Sequence, residues 1–469
     1  MILSFMGLAQ TAAFGMGDVL APYIYVFYAA FLVSFAFTPT MRMVAMYYGI
    51  IDRPDGIRKM HGTPVAYLGG IAVFLGWMSG LAISQFLPLH RQEMGWPGHV
   101  LIGFGIVAGA CVIVLLGLWD DVLGIRPRVK IAGQIFGAVF LLASGIGTRC
   151  AESLLEPVGQ RIGMALFRPS AQPVLHVVQW LFGGWPMQGT PTFFPEWLLQ
   201  ISSCLLVVMV VVGCCNAANL MDGLDGLCGG VTAIIAGGFL FLAVHLAATG
   251  NIQNTNWDAL RIVLALALLG SVLGFIPFNF NPASIFMGDT GSMFLGFACA
   301  TLMILMGEGQ GSKWFLAAMV IFALPVMDTA LAFVRRWVAG RPFYSADRQH
   351  IHHQLVARGF TIKQTVLISY GLAMLFCLLG VAIVFIRTRF AGAIYLVVFG
   401  SIIVAAYKMG MVQERPAVVE PRGLGEVEEG LGQVLTDQIT PDKVIEVGGG
   451  GTMPGEQRPS SGPTSPPNA

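Results

Sequence analysis

The feature that most constrains this chain is a series of long apolar runs separated by short polar segments. A helix that crosses the roughly 30 Å hydrocarbon core of a bilayer needs about 20 mainly apolar residues. Its backbone must satisfy its own hydrogen bonds there, which excludes lipid-exposed irregular structure. Of the 469 residues, 56% are hydrophobic and only 11% are charged, whereas soluble domains carry about a quarter charged residues. The sequence therefore predicts an all-α, polytopic membrane protein with about 11 transmembrane helices.

The eleven predicted spans and the basic residues between them also predict an orientation. The spans are Tyr23–Val44, Leu68–Leu87, Val100–Leu118, Ile131–Ile146, Trp197–Cys215, Gly229–Leu246, Ile262–Phe278, Gly291–Met306, Trp314–Phe333, Thr365–Ile386 and Ala391–Tyr407. An odd number of spans places the termini on opposite sides of the membrane. Loops richer in Lys and Arg are expected to be cytoplasmic, and one alternate set of loops holds most of these residues, such as Arg58, Lys130 and Arg335. This bias predicts a periplasmic N-terminus and a cytoplasmic C-terminus.

Two segments differ in composition from the rest of a membrane domain that we assign to residues 1–408. Residues 148–196 form the longest predicted external loop, and residues 409–469 are rich in Gly, Pro, Glu and Ser. Such a tail cannot bury enough apolar surface to offset its ordering entropy, so we expect it to be disordered and cytoplasmic. The net charge of +1 argues against nucleic-acid binding. The eight cysteines form no Cys-x-x-Cys pair and are expected to be buried apolar residues.

Polar residues gather at the predicted cytoplasmic ends of the spans, beginning with Asp120 and Asp121. These adjacent carboxylates end one apolar run, and Lys130 follows after a short loop. Two carboxylates at a membrane boundary repel each other, so a positive group is expected to compensate them. A divalent cation is the simplest candidate, and an ion pair with Lys130 is the alternative.

A second cluster is the most specific, with the sequence Asn-Ala-Ala-Asn-Leu-Met-Asp-Gly-Leu-Asp-Gly over residues 216–226. Asn216, Asn219 and Asp222 are spaced by three residues, so they fall along one stripe of a helix. Asp225 follows in a glycine-flanked turn. Acids beside a long apolar helix are costly without a ligand. This cluster therefore predicts a binding site.

A third cluster, Phe286-Met-Gly-Asp-Thr-Gly-Ser292, directly precedes a predicted span. Free backbone amides at the start of a helix hold phosphate well, while the carboxylate of Asp289 could hold a metal ion. An ordinary helix cap by Asp289 is the alternative. The pair Gly69 and Gly70 could likewise bring backbone amides close to a phosphate.

Histidines form the last cluster, with His350, His352 and His353 within four residues, and another basic loop contains Lys59 and His61. A zinc site is less favoured than phosphate contact, because no cysteine cluster accompanies the histidines and the chain is rich in carboxylates at these loops.

Together, and in their order along the chain, the clusters resemble those of the polyprenyl-phosphate N-acetylhexosamine-1-phosphate transferases of glycosyltransferase family 4. The resemblance spans about Tyr23 to Tyr407 and rests on Asn-x-x-Asn-x-x-Asp-Gly-Leu-Asp-Gly, Phe-Met-Gly-Asp-x-Gly-Ser and Asp-Arg-x-His-Ile-His-His. Arg58-Lys59-x-His61 and the histidine cluster look like the undecaprenyl-phosphate N-acetylglucosamine-1-phosphate transferase branch, and less like the related phospho-N-acetylmuramoyl-pentapeptide transferases. The chain departs from that branch at Ala66-Tyr67, where Pro-Arg would be expected.

The resemblance implies transfer of N-acetylhexosamine 1-phosphate, in the first instance N-acetylglucosamine 1-phosphate, from a UDP-sugar to undecaprenyl phosphate, with release of UMP. It places the active site at the cytoplasmic face of the bacterial inner membrane and implies Mg²⁺ as the cofactor, with Mn²⁺ as a substitute. The partners implied are UDP-N-acetylhexosamine, undecaprenyl phosphate and membrane lipid, and a homodimer is an open alternative to a monomer.

The resemblance also implies roles for individual residues. The catalytic set is Asp120, Asp121, Asp225, Asp289 and His352, and the magnesium ligands are Asp289, Asn219 and Asp121. The substrate contacts are Lys59, His61, Lys130, Asn216, Asn219, Asp222, Phe286, His350 and His353, with Asp225 on the uracil and Phe286 stacked on its ring.

Three alternatives remain open from the sequence. The alternative activity within the family is phospho-N-acetylmuramoyl-pentapeptide transfer in peptidoglycan synthesis. Direct attack of the polyprenyl phosphate on the β-phosphorus is expected, and a covalent aspartyl-phosphate intermediate is its rival. Intramembrane acids also mark ion pathways, so an ion or proton transporter is the alternative of another class. Transport predicts acids spread through the membrane depth, whereas the acids here collect on one predicted face.

Overall fold

The computed structural model describes residues 16–52, 64–86, 102–155, 196–249, 255–308, 311–338 and 350–386, with a few isolated residues elsewhere. All of them belong to the unit Met1–Glu414, the first of two units into which the chain divides. Several predictions fall outside the described residues. They concern most of the external segment 148–196, nearly all of the eleventh span, the tail 409–469, and the residues Lys59 and His61.

The described residues are almost entirely helical. The α-helices are α1 Met16–Leu20, α2 Ile24–Tyr48, α3 Gly69–Phe86, α4 Phe104–Leu123, α5 Pro127–Ala143, α6 Glu196–Met221, α7 Leu227–Thr249, α8 Thr255–Asn279, α9 Gly288–Gly307, α10 Ser312–Ile321, α11 Ala323–Val338, α12 Ile351–Ala357 and α13 Ile362–Phe385. A 3-10 turn, Ala21–Tyr23, precedes α2, and two short strands are β1 Ile51–Asp52 and β2 Val65–Ala66.

Eight of these helices are long and apolar enough to cross a membrane, and the bent pair α10 and α11 would make a ninth span. The eight match eight of the predicted runs, which confirms the all-α, polytopic fold class. The predicted span Trp314–Phe333 is the bent pair, whose two helices meet at 74°. The predicted span Ile131–Ile146 corresponds to α5, which has 17 residues. The orientation of the termini stays a prediction.

Helix α9 lies at the centre of the bundle. The span Gly288–Gly307 is buried along its whole length, whereas less than two fifths of the residues in the spans of α2, α6 and α13 are buried. Helices α3, α4, α6 and α10 pack around it. A Cβ atom on Gly296 would lie 2.4 Å from the carbonyl oxygen of Cys214, so α6 approaches the α9 backbone directly. The surrounding helices therefore fix the position of α9.

Gly69 and Gly70 serve helix packing, and this corrects the expectation that their amides approach a phosphate. The amide of Gly69 donates to the carbonyl oxygen of Phe286 at 3.0 Å, and that of Gly70 donates to Met287 at 2.9 Å. A Cβ atom on Gly70 would lie 2.2 Å from the amide nitrogen of Gly291. Both amides are used because the backbones of α3 and α9 are in direct contact.

A small antiparallel sheet, which the sequence did not predict, joins two loops at the end of the bundle where α9 begins. Ile51 pairs with Ala66, and Ala66 also forms a parallel bridge with Ile285. The amide of Phe286 donates to Ala66 O at 2.8 Å. Strands of two residues show no alternating pattern in a sequence, so they could not be predicted from it.

A buried ion pair stabilises the opposite end of the bundle. Arg261 Nη1 lies 2.6 Å from Asp258 Oδ1, and its Nε donates to Leu305 O at 2.8 Å. Its Nη2 donates to the carbonyl oxygen of Glu308 at 3.2 Å. The guanidinium is fully buried. Arg261 therefore joins the start of α8 to the end of α9, about 30 Å along α9 from its first residue.

Replacing Arg261 by Met is expected to destabilise the protein, because it leaves the Asp258 carboxylate buried without its cation. The expected loss of unfolding free energy is about 3–5 kcal/mol, measured as the unfolding midpoint of purified protein titrated with SDS. Arg149→Met at the same end is the matched control, since the ion pair of Arg149 with Glu152 is exposed and such pairs contribute less than about 1 kcal/mol. Equal midpoints for the two variants would contradict this assignment.

Candidate active site

Four helix ends meet at one end of the bundle and bring together residues that are far apart in the sequence. Asp121 at the end of α4 and Asn219 near the end of α6 both contact the first turn of α9 at Asp289. Lys130, in the first turn of α5, pairs with Asp289 and with Asp120. We call Asp120, Asp121, Asp222 and Asp289 the acidic cluster.

Asp121 fixes the start of α9. Its Oδ1 accepts the backbone amide of Asp289 at 2.8 Å, and its Oδ2 accepts the amide and hydroxyl of Thr290 at 3.0 and 2.6 Å. Gly288 has φ +72°, and a Cβ atom there would lie 2.6 Å from Asp121 Oδ2. These contacts correct the expectation of free helix amides for a phosphate, because Asp121 already occupies the amides of Asp289 and Thr290. The alternative of a cap by Asp289 is also wrong, since Met287 is the N-cap residue and its own side chain makes no capping hydrogen bond.

Lys130 neutralises part of the charge of the acidic cluster. Its ammonium forms ion pairs with one oxygen each of Asp120 and Asp289. The other oxygen of Asp120 accepts the amide of Ile125 at 2.8 Å. The ion pair that the sequence offered as an alternative to a cation is therefore present. It extends to Asp289, which lies 159 residues further along the chain.

The two asparagines of α6 have different environments. Asn219 Nδ2 donates to Asp289 Oδ1 at 2.8 Å and to Ser292 Oγ at 3.0 Å, which places its amide in the cluster. Asn216 Nδ2 donates to Gln134 Oε1 and to Val212 O, both at 2.7 Å. Asn216 therefore joins α6 to α5 one turn away from the cluster. Its role as a substrate contact stays a prediction.

Asp222 lies in the turn after α6, where its charge is poorly solvated. Burial raises the pKa of Asp222 to about 8, and the nearby carboxylates act in the same direction.

Tyr67 also faces the cluster: burial raises the pKa of its phenol to about 12, and the charges of Asp121 and Asp289 add to this. The phenol is therefore neutral at pH 7. Tyr67 replaces the arginine expected from the resemblance, so the cluster has lost one expected cation.

Asp225 holds the loop between α8 and α9. Its Oδ2 accepts Asn281 Nδ2 at 2.9 Å and the amide of Ala283 at 3.0 Å. The ring of Phe286, in the same loop, lies edge-on to Tyr67 with a centroid distance of 5.9 Å. Contacts of Asp225 and Phe286 with uracil stay predictions, and the structure gives both residues packing roles as well.

The histidine cluster reaches the turn that carries Asp222. A Cβ atom on Gly223 would lie 2.4 Å from His352 Nε2, so the ring rests on that glycine. His350 and His352 stack with centroids 5.6 Å apart, and His353 lies 4.3 Å from His352. Burial lowers the pKa of His352 to about 3. His352 therefore faces the site as a neutral imidazole, which can form hydrogen bonds with a phosphate without carrying a charge itself.

The donor set fits Mg²⁺ and not zinc. Carboxylate and amide oxygens are what Mg²⁺ prefers, and it usually takes one or two protein carboxylates together with substrate phosphates. Within the described residues, no group of three or more His, Cys, Asp or Glu side chains is arranged to hold a metal ion alone. A magnesium ion there would need oxygens from a bound substrate. Asp121 as a direct ligand stays a prediction, because three of about four acceptor positions on its carboxylate are already used.

Sequence reasoning missed two residues that the structure places at the site. Thr290 binds Asp121 through both its amide and its hydroxyl. It directly follows Asp289, so the third cluster already contained it. In the sequence, Tyr67 stood out only as a departure from the expected Pro-Arg. Its position two residues before Gly69 was the available signal that it lies near the site.

Replacing Gly223 by Ala tests the contact between the histidines and the Asp222 turn. The added methyl group would meet His352 Nε2 at 2.4 Å and displace the ring, so we expect turnover to fall by about 10-fold or more. Gly371→Ala is the control, because nothing lies within 4 Å of the added atom. Turnover is measured in the transfer reaction that the resemblance implies, as release of UMP by the purified protein. Similar turnover for the two variants would contradict the placement of His352.

The fold and the site define a multi-pass membrane protein with a cluster of carboxylates, one lysine and neighbouring histidines at one end of its helices. The family model of glycosyl transferase family 4 matches residues 103–307, which include Asp120, Asp121, Lys130, Asn219, Asp222 and Asp289. The decaprenyl-phosphate N-acetylglucosaminephosphotransferase of Mycobacterium tuberculosis (strain ATCC 25618 / H37Rv) is 31% identical over 415 residues, which cover 85% of this chain and 91% of the relative. The chain belongs to glycosyl transferase family 4, as its motifs predicted.

Two further relatives carry similar names. The probable undecaprenyl-phosphate N-acetylglucosaminyl 1-phosphate transferase of Bacillus subtilis (strain 168) is 29% identical, covering 76% of this chain and 84% of the relative. The undecaprenyl-phosphate alpha-N-acetylglucosaminyl 1-phosphate transferase of Escherichia coli (strain K12) is 28% identical, covering 74% and 80%. These matches extend well beyond residues 103–307, so the similarity includes most of the membrane domain.

Proposed function

We propose that this protein transfers N-acetylglucosamine 1-phosphate from UDP-N-acetylglucosamine to a polyprenyl phosphate such as undecaprenyl phosphate. The observation that carries the proposal is the meeting of Asp121, Asp289, Asn219 and Lys130 at one end of the helices, with His352 close by on Gly223. The names of the relatives support the polyprenyl phosphate and the N-acetylglucosamine. The location we propose is the bacterial inner membrane, with the site facing the cytoplasm, where nucleotide sugars are made.

Phosphoryl transfer depends mainly on positioning and on neutralising the charge that develops on the phosphate oxygens. A phosphate oxygen of the lipid attacks the β-phosphorus of the UDP-sugar, the bond from that phosphorus to the bridging oxygen breaks, and UMP leaves. A phosphate monoester has a second pKa near 6, so the acceptor is mostly a dianion at neutral pH and needs little help from a base. Lys130 would stabilise the phosphates, and the neutral His352 would hold a phosphate oxygen by a hydrogen bond.

Direct attack is favoured over an aspartyl-phosphate intermediate by the hydrogen bonds of the carboxylates. Asp121 accepts three hydrogen bonds from α9. Asp120 is bound by Ile125 and Lys130, and Asp289 by Asn219 and Lys130. A carboxylate whose oxygens all accept hydrogen bonds or ion pairs is a weak nucleophile.

We propose Mg²⁺ as the cofactor, held by Asp289 with Asn219 beside it. Burial keeps Asp222 mostly protonated at pH 7, so the three remaining carboxylates of the acidic cluster against one lysine leave a net negative charge that would repel a diphosphate. When bound, a magnesium ion supplies a positive charge that stabilises the transferred phosphoryl group. Lys130 and Asn219 then keep the Asp289 carboxylate in place, and Asp121 holds the backbone amide of Asp289.

The test uses purified protein in detergent with undecaprenyl phosphate, Mg²⁺ and a panel of UDP-sugars. We expect UMP release with UDP-N-acetylglucosamine, a labelled sugar in the lipid fraction, and loss of both with EDTA. Because one diphosphate linkage replaces another, excess UMP with the lipid product should regenerate the UDP-sugar. Absence of UMP release with every donor would overturn the proposal. Release that persists in EDTA would overturn only the role of Mg²⁺.

A further inference from the structure

A single buried carboxylate joins α11 to the histidine cluster. Asp328 Oδ2 lies 2.9 Å from His350 Nδ1, and its Oδ1 accepts the backbone amide of Ile351 at 2.8 Å. The side chains of Asp328 and His350 are only 7% and 5% exposed. None of the sequence clusters includes Asp328. Asp328 is therefore held in place by its contacts with His350 and Ile351 and is not a member of the acidic cluster.

The contact with Asp328 determines which nitrogen of the His350 imidazole carries the proton. An ionised carboxylate can only accept hydrogen bonds, so the Nδ1 atom of His350 must carry the proton. In the neutral ring, Nε2 then has a free lone pair, and the contact also fixes the rotation of the ring. The second bond, from Ile351, holds the backbone where α12 begins, because His350 is the N-cap residue of that helix.

The same contact sets the position of the other histidines. Helix α12 has only seven residues, and its first turn carries His352 and His353. His350 and His352 are nearly parallel, with an interplanar angle of 6°. His352 Nε2 is buried and has no hydrogen-bond partner within the described residues. A polar atom in that situation is costly unless a ligand binds it, and it lies against Gly223, next to Asp222.

We propose that Asp328 is a positioning residue of the transfer reaction: it holds His350 as the Nδ1–H tautomer and fixes α12, so that His352 Nε2 points into the phosphate site. This inference rests on the proposed function, since the histidines act on a phosphate only if one binds there. Asp328 acts through the histidines, and the reacting atoms belong to the substrates.

Asp328→Asn tests the proposal. The amide oxygen can still accept the amide of Ile351, but the NH₂ group now donates to His350 Nδ1 and moves the ring proton to Nε2. Losing the carboxylate that orients a functional histidine typically costs about 10- to 100-fold or more. We expect kcat to fall by about 100-fold while KM for the UDP-sugar stays within about threefold, because the contact acts on the reaction and not on donor affinity.

Two further variants distinguish a loss of histidine positioning from a general loss of stability. Asp328→Glu keeps a carboxylate and is expected to recover at least about one tenth of the wild-type kcat. Asp258→Asn is the matched control, since it removes an equally buried carboxylate that pairs with Arg261 at the other end of α9. The control is expected to lower stability but to leave kcat per folded protein within about twofold of wild type.

A spectroscopic readout decides the case independently of activity. Proton–nitrogen NMR spectra of ¹⁵N-histidine-labelled protein distinguish the two tautomers, and His350→Gln assigns the signal. We expect a proton on Nδ1 of His350 in the wild type and in Asp258→Asn, and loss of that pattern in Asp328→Asn. A wild-type His350 with its only proton on Nε2 would overturn the proposal even if the variants fail to fold. So would an Asp328→Asn kcat within about threefold of wild type.

These outcomes are distinguishable from failure of the proposed function. If the wild-type protein releases no UMP with any donor, the transfer activity is wrong, while the NMR result still decides how Asp328 holds His350. If the wild type is active and the Asp328→Asn variant matches it, only the inference about Asp328 is wrong.

Discussion

Replacing Asp289 by Asn is expected to reduce the transfer rate by about 1,000-fold, the largest effect of any single isosteric change in the chain. Asn keeps the shape of the side chain and can still accept the Asn219 hydrogen bond at 2.8 Å. It loses the charge that pairs with Lys130 and that would hold a magnesium ion. The loss should appear in kcat more than in KM, because the charge acts most strongly on the transition state. Release of UMP at saturating donor and lipid measures it.

The control for Asp289→Asn is again Asp258→Asn, an aspartate of similar chemistry at the far end of the same helices. Raising the Mg²⁺ concentration should restore part of the activity of Asp289→Asn if the carboxylate is a ligand. A rate within about 10-fold of wild type would remove Asp289 from the reaction and would weaken the case for the whole acidic cluster.

Replacing Gly70 by Ala is expected to abolish activity and to lower stability together. The new methyl group would lie 2.2 Å from the amide nitrogen of Gly291, a backbone atom that cannot rotate away. Helices α3 and α9 must separate to relieve this contact. Overpacking of this kind costs about 1–3 kcal/mol, and a shift of about 1 Å in a catalytic group can cost 100-fold in rate. We expect loss of at least 100-fold in UMP release.

The matched control is Gly213→Ala on α6, where nothing lies within 4 Å of the added atom. Both variants make the same chemical change in a membrane-spanning helix, so their difference isolates the helix contact. Gly213→Ala should match wild type in SDS unfolding and in turnover. If Gly70→Ala also matched wild type, the close packing of α3 on α9 would be wrong.

The fold class was predictable from the sequence because lipid leaves a chain few alternatives. A run of about 20 apolar residues in a bilayer must be helical, and eight described helices match predicted runs. The break between α10 and α11 was not predictable. Both helices are apolar, and only a change of direction of 74° distinguishes them from one straight span.

The sequence predicted which residues gather at the site better than it predicted the contacts between them. Asn219 and Asp289 were identified because polar residues at the end of an apolar run are costly unless they bind something. Which atoms bind each other depends on how α4 and α6 pack on α9, and the sequence contains no local signal for that. The capping of α9 by Asp121, across 168 residues, is such a contact. Asp328 was missed because it belongs to no polar cluster: the nearest charged residue in the sequence is Arg335.

The complete enclosure of α9 has a consequence for how the protein is made. A helix that touches no lipid is free of the requirement for uniform apolarity, and α9 carries Thr290, Ser292 and Thr301 at fully or nearly fully buried positions. Ser292 and Thr301 donate to carbonyl oxygens within α9, but the hydroxyl of Thr290 finds its partner only in Asp121 of α4, and the glycines of α9 fit closely against α3 and α6. During biogenesis, α9 should therefore reach its final place only after α3, α4 and α6 have been inserted. The catalytic centre would then be completed late, when synthesis of the bundle is well advanced.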